Sequence, residues 1–176
     1  GFDAAEARIS ALRDLIDDPA VDAVSFGIDV AGPHASWGFA VDEIADRLRP
    51  LFLRARGEAA MPVAALTLVH HARATLDLTI AVFLRLLEDE RLDGLDAGIT
   101  LPTSLPESFA ALQELTAWAV ERQESGGSPI RVRLMKGAVA AERADALLAS
   151  RPPAPFDTKL DTDANQKAID SLLNYE

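Results

Sequence analysis

Four times along the chain, a short run rich in branched apolar residues gives way to a longer run with apolar residues every three to four positions. The short runs are "VDAVSFGIDVAG" (21–32), "MPVAALTLV" (61–69), "DAGITLPTS" (96–104) and "IRVRLMKG" (130–137), and each reads as a strand. The helical stripes are Val41, Ile44, Leu48, Leu51 and Ala55, then Leu76, Ile80, Phe83 and Leu87, then Phe109, Leu112, Leu115 and Ala119, then Ala140 to Ala149. An earlier stripe, Phe2, Ala5, Ile9, Leu12 and Ile16, precedes the first strand and stops at Asp17-Asp18-Pro19. Pro50 predicts a kink or an early end in its helix. Pro106 suits a first helical turn, and Ser125-Gly126-Gly127 suits a C-terminal cap. Beyond Ala149, "RPPAP" reads as a loop, "FDTKL" as a short fifth strand and Asp163 to Tyr175 as a last helix.

Strands alternating with helices imply βαβ units and a parallel sheet, so the fold class expected is α/β. The strand runs read as apolar on both faces, the pattern of a sheet covered by helices. A closed (β/α) barrel takes eight units and about 250 residues. With 176 residues and four or five units, the chain is either a small open sheet or a barrel that stops halfway. A formal charge of −11 argues against nucleic acid, because no basic patch is present to neutralise phosphates. No Lys/Arg-rich amphipathic run marks an anionic membrane surface. No apolar run reaches the ~18 residues of a membrane span, and the start does not read as a signal peptide. Zero cysteines exclude disulfides and thiolate chemistry. These features lead to the expectation of a cytoplasmic protein.

No Walker or Rossmann phosphate fingerprint is present. His70-His71 follows the second strand, but adjacent residues on an extended segment point to opposite faces, and no spacing completes a metal shell, so no metal is expected. Asp42, Glu43 and Asp46, and likewise Glu88, Asp89 and Glu90, read as solvated helix faces. Trp37 and Trp118 read as packing residues. In the fourth strand, Arg131 and Arg133 share a face. That stretch reads either as a solvated strand end or as a contact for an anion or cofactor. Arg133 lies among Val132, Leu134 and Met135, and Gly137 allows close backbone approach to a ligand.

The stretches "VDAVSFGIDV", "WGF", "RLRPLF", "LDLTIAVFLRLLEDE", "LDAGITL", "LPESFAALQELTAWA", "GGSPIRVRLMKGA" and "TKLDTDANQK" occur in this order nearly end to end. On these residues the chain resembles the proline dehydrogenase domain of bifunctional proline utilisation A flavoenzymes. The resemblance implies a distorted (β/α)8 TIM-like barrel with FAD at the carboxyl ends of the strands. It also implies oxidation of L-proline to delta-1-pyrroline-5-carboxylate in proline catabolism. Residues 1–20 are then an N-terminal helix and 21–176 the N-terminal half of the barrel. The family's flavin-contacting arginine and lysine fall on Arg133 and Lys136, with Gly137 and Ala138 beside them.

The resemblance also exposes departures. The lysine that meets the substrate carboxylate in the family is replaced by Gly27, the active-site aspartate by Val69, and a flavin-facing glutamine by Pro102. The later strands and the terminal helix with paired arginines lie outside the 176 residues. The leading expectation is therefore a half-barrel of the family that does not oxidise proline by itself. A second is a scaffold that associates as a homodimer or with a missing barrel segment. A third is a flavoenzyme of altered chemistry in which His70 or His71 stands in for lost acidic groups.

Overall fold

The structure, a computed structural model, describes residues 2–28, 37–58, 62–69, 75–135, 164 and 167–168. Helix α1 (Phe2–Asp17) precedes strand β1 (Ala23–Gly27). Then follow α2 (Trp37–Arg56), β2 (Ala65–Val69), α3 (Leu76–Leu87), a single 3-10 turn at Glu90–Leu92, β3 (Ala97–Pro102), α4 (Glu107–Glu124) and β4 (Arg131–Met135). All the predicted strands and helices up to Met135 are therefore present. The predicted helix 140–149 and strand at "FDTKL" lie outside the described residues. Of the last predicted helix, Ala164, Lys167 and Ala168 are described and helical.

Each of α1 to α4 forms where the 3.6-residue stripe says it should. Pro50, however, neither ends nor breaks α2, which runs unbroken to Arg56. The hydrogen bond that Pro50 cannot donate would go to the carbonyl of Asp46, and both residues lie on the exposed side, where water can replace it. Helix α4 stops at the predicted place: the Ser125 N–H still donates to Glu121, and Gly126 turns the chain out at φ 89°.

The four strands are parallel and lie in sequence order, β1-β2-β3-β4. Right-handed crossovers between neighbouring parallel strands put the connecting helices on one side of the sheet. That outer face carries Val24, Leu66, Leu68, Ile99 and Leu101, which form one core with Phe52, Phe83, Leu86 and Leu112. Phe26 meets Phe52 edge to face, with ring centroids 6.3 Å apart. Each such buried side chain contributes about 1.5–3 kcal/mol relative to exposure.

The expectation that the strands are apolar on both faces is not met. The second face carries Ser25 and Gly27, Ala65, Thr67 and Val69, Gly98, Thr100 and Pro102, and Arg131, Arg133 and Met135. Only β3 is buried throughout, while β2 alternates and β4 is exposed at both arginines. The cause is topological, since helices that all cross on one side leave the other side to small and polar residues. Gly98 eases the packing there, since a Cβ would sit tightly, 3.0 Å from the Thr67 hydroxyl and 3.1 Å from the carbonyl oxygen of Arg131.

Arginines tie together the amino ends of the strands. Arg122 of α4 donates to the Leu87 carbonyl, to Asp93 and to the Ser128 carbonyl, and lies over the Trp118 ring at 5.5 Å. Arg54 pairs with Asp17, Arg56 donates to the Asp93 carbonyl, and Arg131 pairs with Asp96 at 2.5 Å. Asp89 corrects the reading of Glu88, Asp89 and Glu90 as a solvated helix face. Its side chain is 11% exposed, bonded by Arg49 at 2.9 Å and Arg91 at 2.6 Å, and it caps the 3-10 turn by accepting from the Arg91 N–H. Hydrogen bonds from Arg91, then those from its backbone N–H and from Arg49, hold the Asp89 carboxyl far below the usual range against the opposing effect of burial. Asp42 pairs with Arg85, Glu43 with Arg47 and Asp46 with Arg49, all near the surface.

Candidate functional site

In a sheet whose helices all cross on one side, ligands meet the carboxyl ends of the strands. There the register aligns successive residues of the inner face in layers. Ser25 is opposite Thr67, and Gly98 is opposite Arg131. One step further toward the carboxyl ends, Gly27 is opposite Val69 and Thr100 is opposite Arg133. The β2–β3 pairs Thr67 with Gly98 and Leu68 with Ile99 carry the same alignment across, so Gly27, Val69, Thr100 and Arg133 form one layer. The last layer is Pro102 opposite Met135.

These positions differ in what they offer. Gly27 has no side chain, and Val69 is half-buried and apolar. Thr100 is buried, and its hydroxyl is 3.5 Å from the Leu68 carbonyl. Arg133 is exposed, and no carboxylate among the described residues pairs with it, unlike Arg131 on the same face. The layer therefore carries one guanidinium and no other ionic group.

Pro102 ends β3 without breaking the sheet. The next residue, Thr103, donates its N–H to the Met135 carbonyl at 2.9 Å, so the missing N–H of Pro102 faces the β2 side. The β2–β3 pairing has already ended at Leu68 and Ile99 on that side, and no ladder bond is lost. The Pro102 carbonyl instead accepts the hydroxyl of Ser108 from the first turn of α4. The Thr103 hydroxyl reaches the Met135 carbonyl at 3.4 Å. Thr103 and Ser108 were not singled out from sequence. Their signal was "PTSLPES", a serine- and threonine-rich turn at a strand exit, where hydroxyls bond nearby backbone. Ser104 in that turn is buried, and its hydroxyl has no partner among the described residues.

Of the residues singled out from sequence, Gly27, Val69, Pro102 and Arg133 thus gather at the carboxyl end of the inner face. Lys136, Gly137, Ala138, His70 and His71 lie outside the described residues. Trp118 is half-buried against the core, while Trp37 opens α2. A mainly apolar cleft of about 150 Å³ lies between α1, α2 and the end of β1, lined by Ile9, Leu12, Phe26, Gly27, Ile28 and Leu48, with Arg8 and Arg47 at its border.

A family model described as proline dehydrogenase matches residues 3–175. The chain belongs to the proline dehydrogenase family. Solved structures of proline utilisation A agree with it in fold. That from Corynebacterium freiburgense is 37% identical with a TM-score of 0.81, over 92% of this chain and 17% of that one. The protein from Bdellovibrio bacteriovorus, inactivated by N-propargylglycine, is 23% identical with a TM-score of 0.78, over 97% and 19%. One from Bradyrhizobium japonicum is 23% identical with a TM-score of 0.80, over 96% and 18%. The last two show the fold alone. The chain thus spans less than a fifth of the length of these three proteins. No curated protein sequence matches it. The α/β fold with a parallel sheet is that of a partial TIM-like barrel. Among the described residues no helix is long and apolar enough to cross a membrane.

Proposed function

We propose that this chain is a proline dehydrogenase-like domain that keeps the flavin-contacting side of the family site on β4 and has lost the substrate-binding side on β1 and β2. The observation that carries this reading is the layer of Gly27, Val69, Thr100 and Arg133, with its single cation. The family reaction is FAD-dependent oxidation of L-proline to delta-1-pyrroline-5-carboxylate. FAD, when bound, supplies the hydride acceptor of that reaction. On this reading Arg133, Lys136, Gly137 and Ala138 are the cofactor contacts. An exposed guanidinium with no carboxylate partner among the described residues fits a group that gains negative charge on reduction. Thr103 holds the Met135 carbonyl through its N–H and its hydroxyl and so fixes the end of β4.

The other strands fit less well. Gly27 offers nothing to a substrate carboxylate, Val69 nothing to a substrate amine, and Pro102 no donor to a flavin. Each missing charge-assisted hydrogen bond removes about 1.5–3 kcal/mol of binding, together with the positioning it provided. Proline oxidation by this chain is therefore not expected. Residues 21–176 are read as the N-terminal half of a (β/α) barrel, with 1–20 as a helix packed outside it, because the four strands run in sequence order with helices on one side. The test is a titration of FAD into the purified chain and its R133Q variant. The reading expects flavin uptake that the substitution weakens about tenfold, a value typical of one charge-assisted contact. Equal uptake by both would refute it.

One feature favours a second reading, a non-catalytic scaffold that pairs with a second copy of the chain. Within the described sheet β1 pairs with β2 alone, and Leu15 of α1, 46% exposed, flanks its open edge. Light scattering decides this: a dimer supports the scaffold, and a strict monomer at high concentration removes it.

A further inference from the structure

Helices α3 and α4 follow one another along the outside of the sheet, yet α3 lies against α2 and hardly meets α4. The furrow left between them follows α4 along its 18 residues, about 27 Å at 1.5 Å per residue. Two clefts succeed one another in it. The first, about 360 Å³, is lined by half-buried Ile80, Ala81, Leu84 and Ala111, with the carboxylates of Asp77 and Glu114 beside them. The second, about 280 Å³, continues one turn further on both helices and is lined by Trp118, Glu88, Glu90 and Glu121.

Along α4 the furrow repeats every seven residues. Glu107, Glu114 and Glu121 keep that step, as do Ala110 with Ala117 and Ala111 with Trp118. A seven-residue period keeps one stripe turned toward a second helix laid alongside. Ala110 and Ala117 are exposed and small, which permits a close approach. A helix face that is merely solvated gains from opposite charges three or four residues apart, and none of these three glutamates has such a cation on α4. The arginines at the border are already taken, Arg85 by Asp42 and Glu88, and Arg122 by Asp93. Asp77, Glu90, Glu114 and Glu121 are exposed and have no ion pair among the described residues.

We propose that the α3–α4 furrow docks a basic amphipathic helix of another protein. Its apolar stripe lies over Leu84, Ala111 and Trp118, and its Lys/Arg flanks face Asp77, Glu114 and Glu121. A second copy of this chain lacks the complementary charge, since it too carries −11. Its most basic helical run, Arg47 to Arg56 of α2, has its arginines bonded to Glu43, Asp89, Asp17 and the Asp93 carbonyl. The furrow lies on the helix side of the sheet, so the proposal does not depend on the flavin reading.

The test uses the 176-residue chain and a fluorescent peptide of about 18 residues, the length of α4, with leucines at helical spacing and lysines elsewhere. Anisotropy should show saturable binding that weakens as salt is added. A shuffled peptide of the same composition without the apolar stripe should bind at least about tenfold more weakly, and a peptide with glutamates for lysines should not bind. E114K/E121K should lose at least about tenfold while its far-UV spectrum and melting profile stay as in the parent. E6K/D14K on α1 makes the same change in net charge away from the furrow and should lose less than about twofold. No saturable binding, equal binding of the shuffled peptide, or equal losses in the two charge-reversed variants overturns the proposal. So does a dimer of the chain, seen by light scattering, that E114K/E121K dissociates, because the occupant is then a second copy.

Discussion

Arg122 offers the most direct test of how the foot of the sheet is held. Its guanidinium joins three segments: the last turn of α3 through the Leu87 carbonyl, the loop before β3 through Asp93, and the loop before β4 through the Ser128 carbonyl at 3.1 Å. The side chain is 12% exposed, whereas Asp93 is 40% exposed. The Asp93 contact therefore counts as a near-surface pair, about 0.5–1 kcal/mol. The two carbonyl bonds contribute about 1–1.5 kcal/mol each. The stack on Trp118 at 5.5 Å adds about 0.5 kcal/mol. Arg122→Ala should thus cost about 3 kcal/mol, which for a chain of this size lowers Tm by about 6–12 °C. Arg122→Lys keeps the charge but cannot span three acceptors, and should recover about a third of the loss. Urea unfolding of the three proteins measures this. A loss below about 1 kcal/mol for Arg122→Ala, or a lysine variant as stable as the parent, would show that these bonds do not hold the foot together.

Other consequences follow from single residues. Because folding lowers the Asp89 carboxyl below its ordinary 3.8, its contribution is complete above about pH 5 and is lost as the unfolded chain takes up a proton near pH 4 and below. Asp89→Asn should cost about 1–2 kcal/mol at pH 7, and urea midpoints should show the gap to the parent closing as pH approaches 3. Phe52 is fully buried against Phe26, so Phe52→Ala should cost about 3–5 kcal/mol, seen in the same unfolding assay. Pro50→Ala should leave stability the same or slightly higher, since α2 already runs through that position and alanine restores one helix bond.

Much of the fold was legible in the sequence because each strand and helix shows its own period. Leu76, Ile80, Phe83 and Leu87 marked α3 to within a residue, and Gly126 marked the end of α4. What the periods could not show was which strand face the helices cover. The runs "MPVAALTLV" and "DAGITLPTS" look apolar throughout, yet small residues and threonines, Ala65, Thr67, Gly98 and Thr100, mark the inner face only once the register is known. Pro50 misled because local propensity says nothing of whether the lost acceptor is solvated. Asp89 misled because its partners Arg49 and Arg91 come from two elements, one of them 40 residues away. At the site, Gly27 and Val69 were singled out only through the family resemblance, and Arg133 also by its place in an apolar run. That they stand in one layer is a property of the parallel register and of nothing local.

The central claim is that the flavin-contacting side of the family site has been kept while its substrate-binding side has been lost. The measurement is the visible spectrum of the chain after incubation with FAD and removal of the unbound flavin, taken anaerobically before and after L-proline. The account predicts a protein that retains flavin and whose oxidised band does not change with proline. Bleaching of that band by L-proline would show a working proline dehydrogenase and contradict it, and a colourless protein would contradict its β4 half.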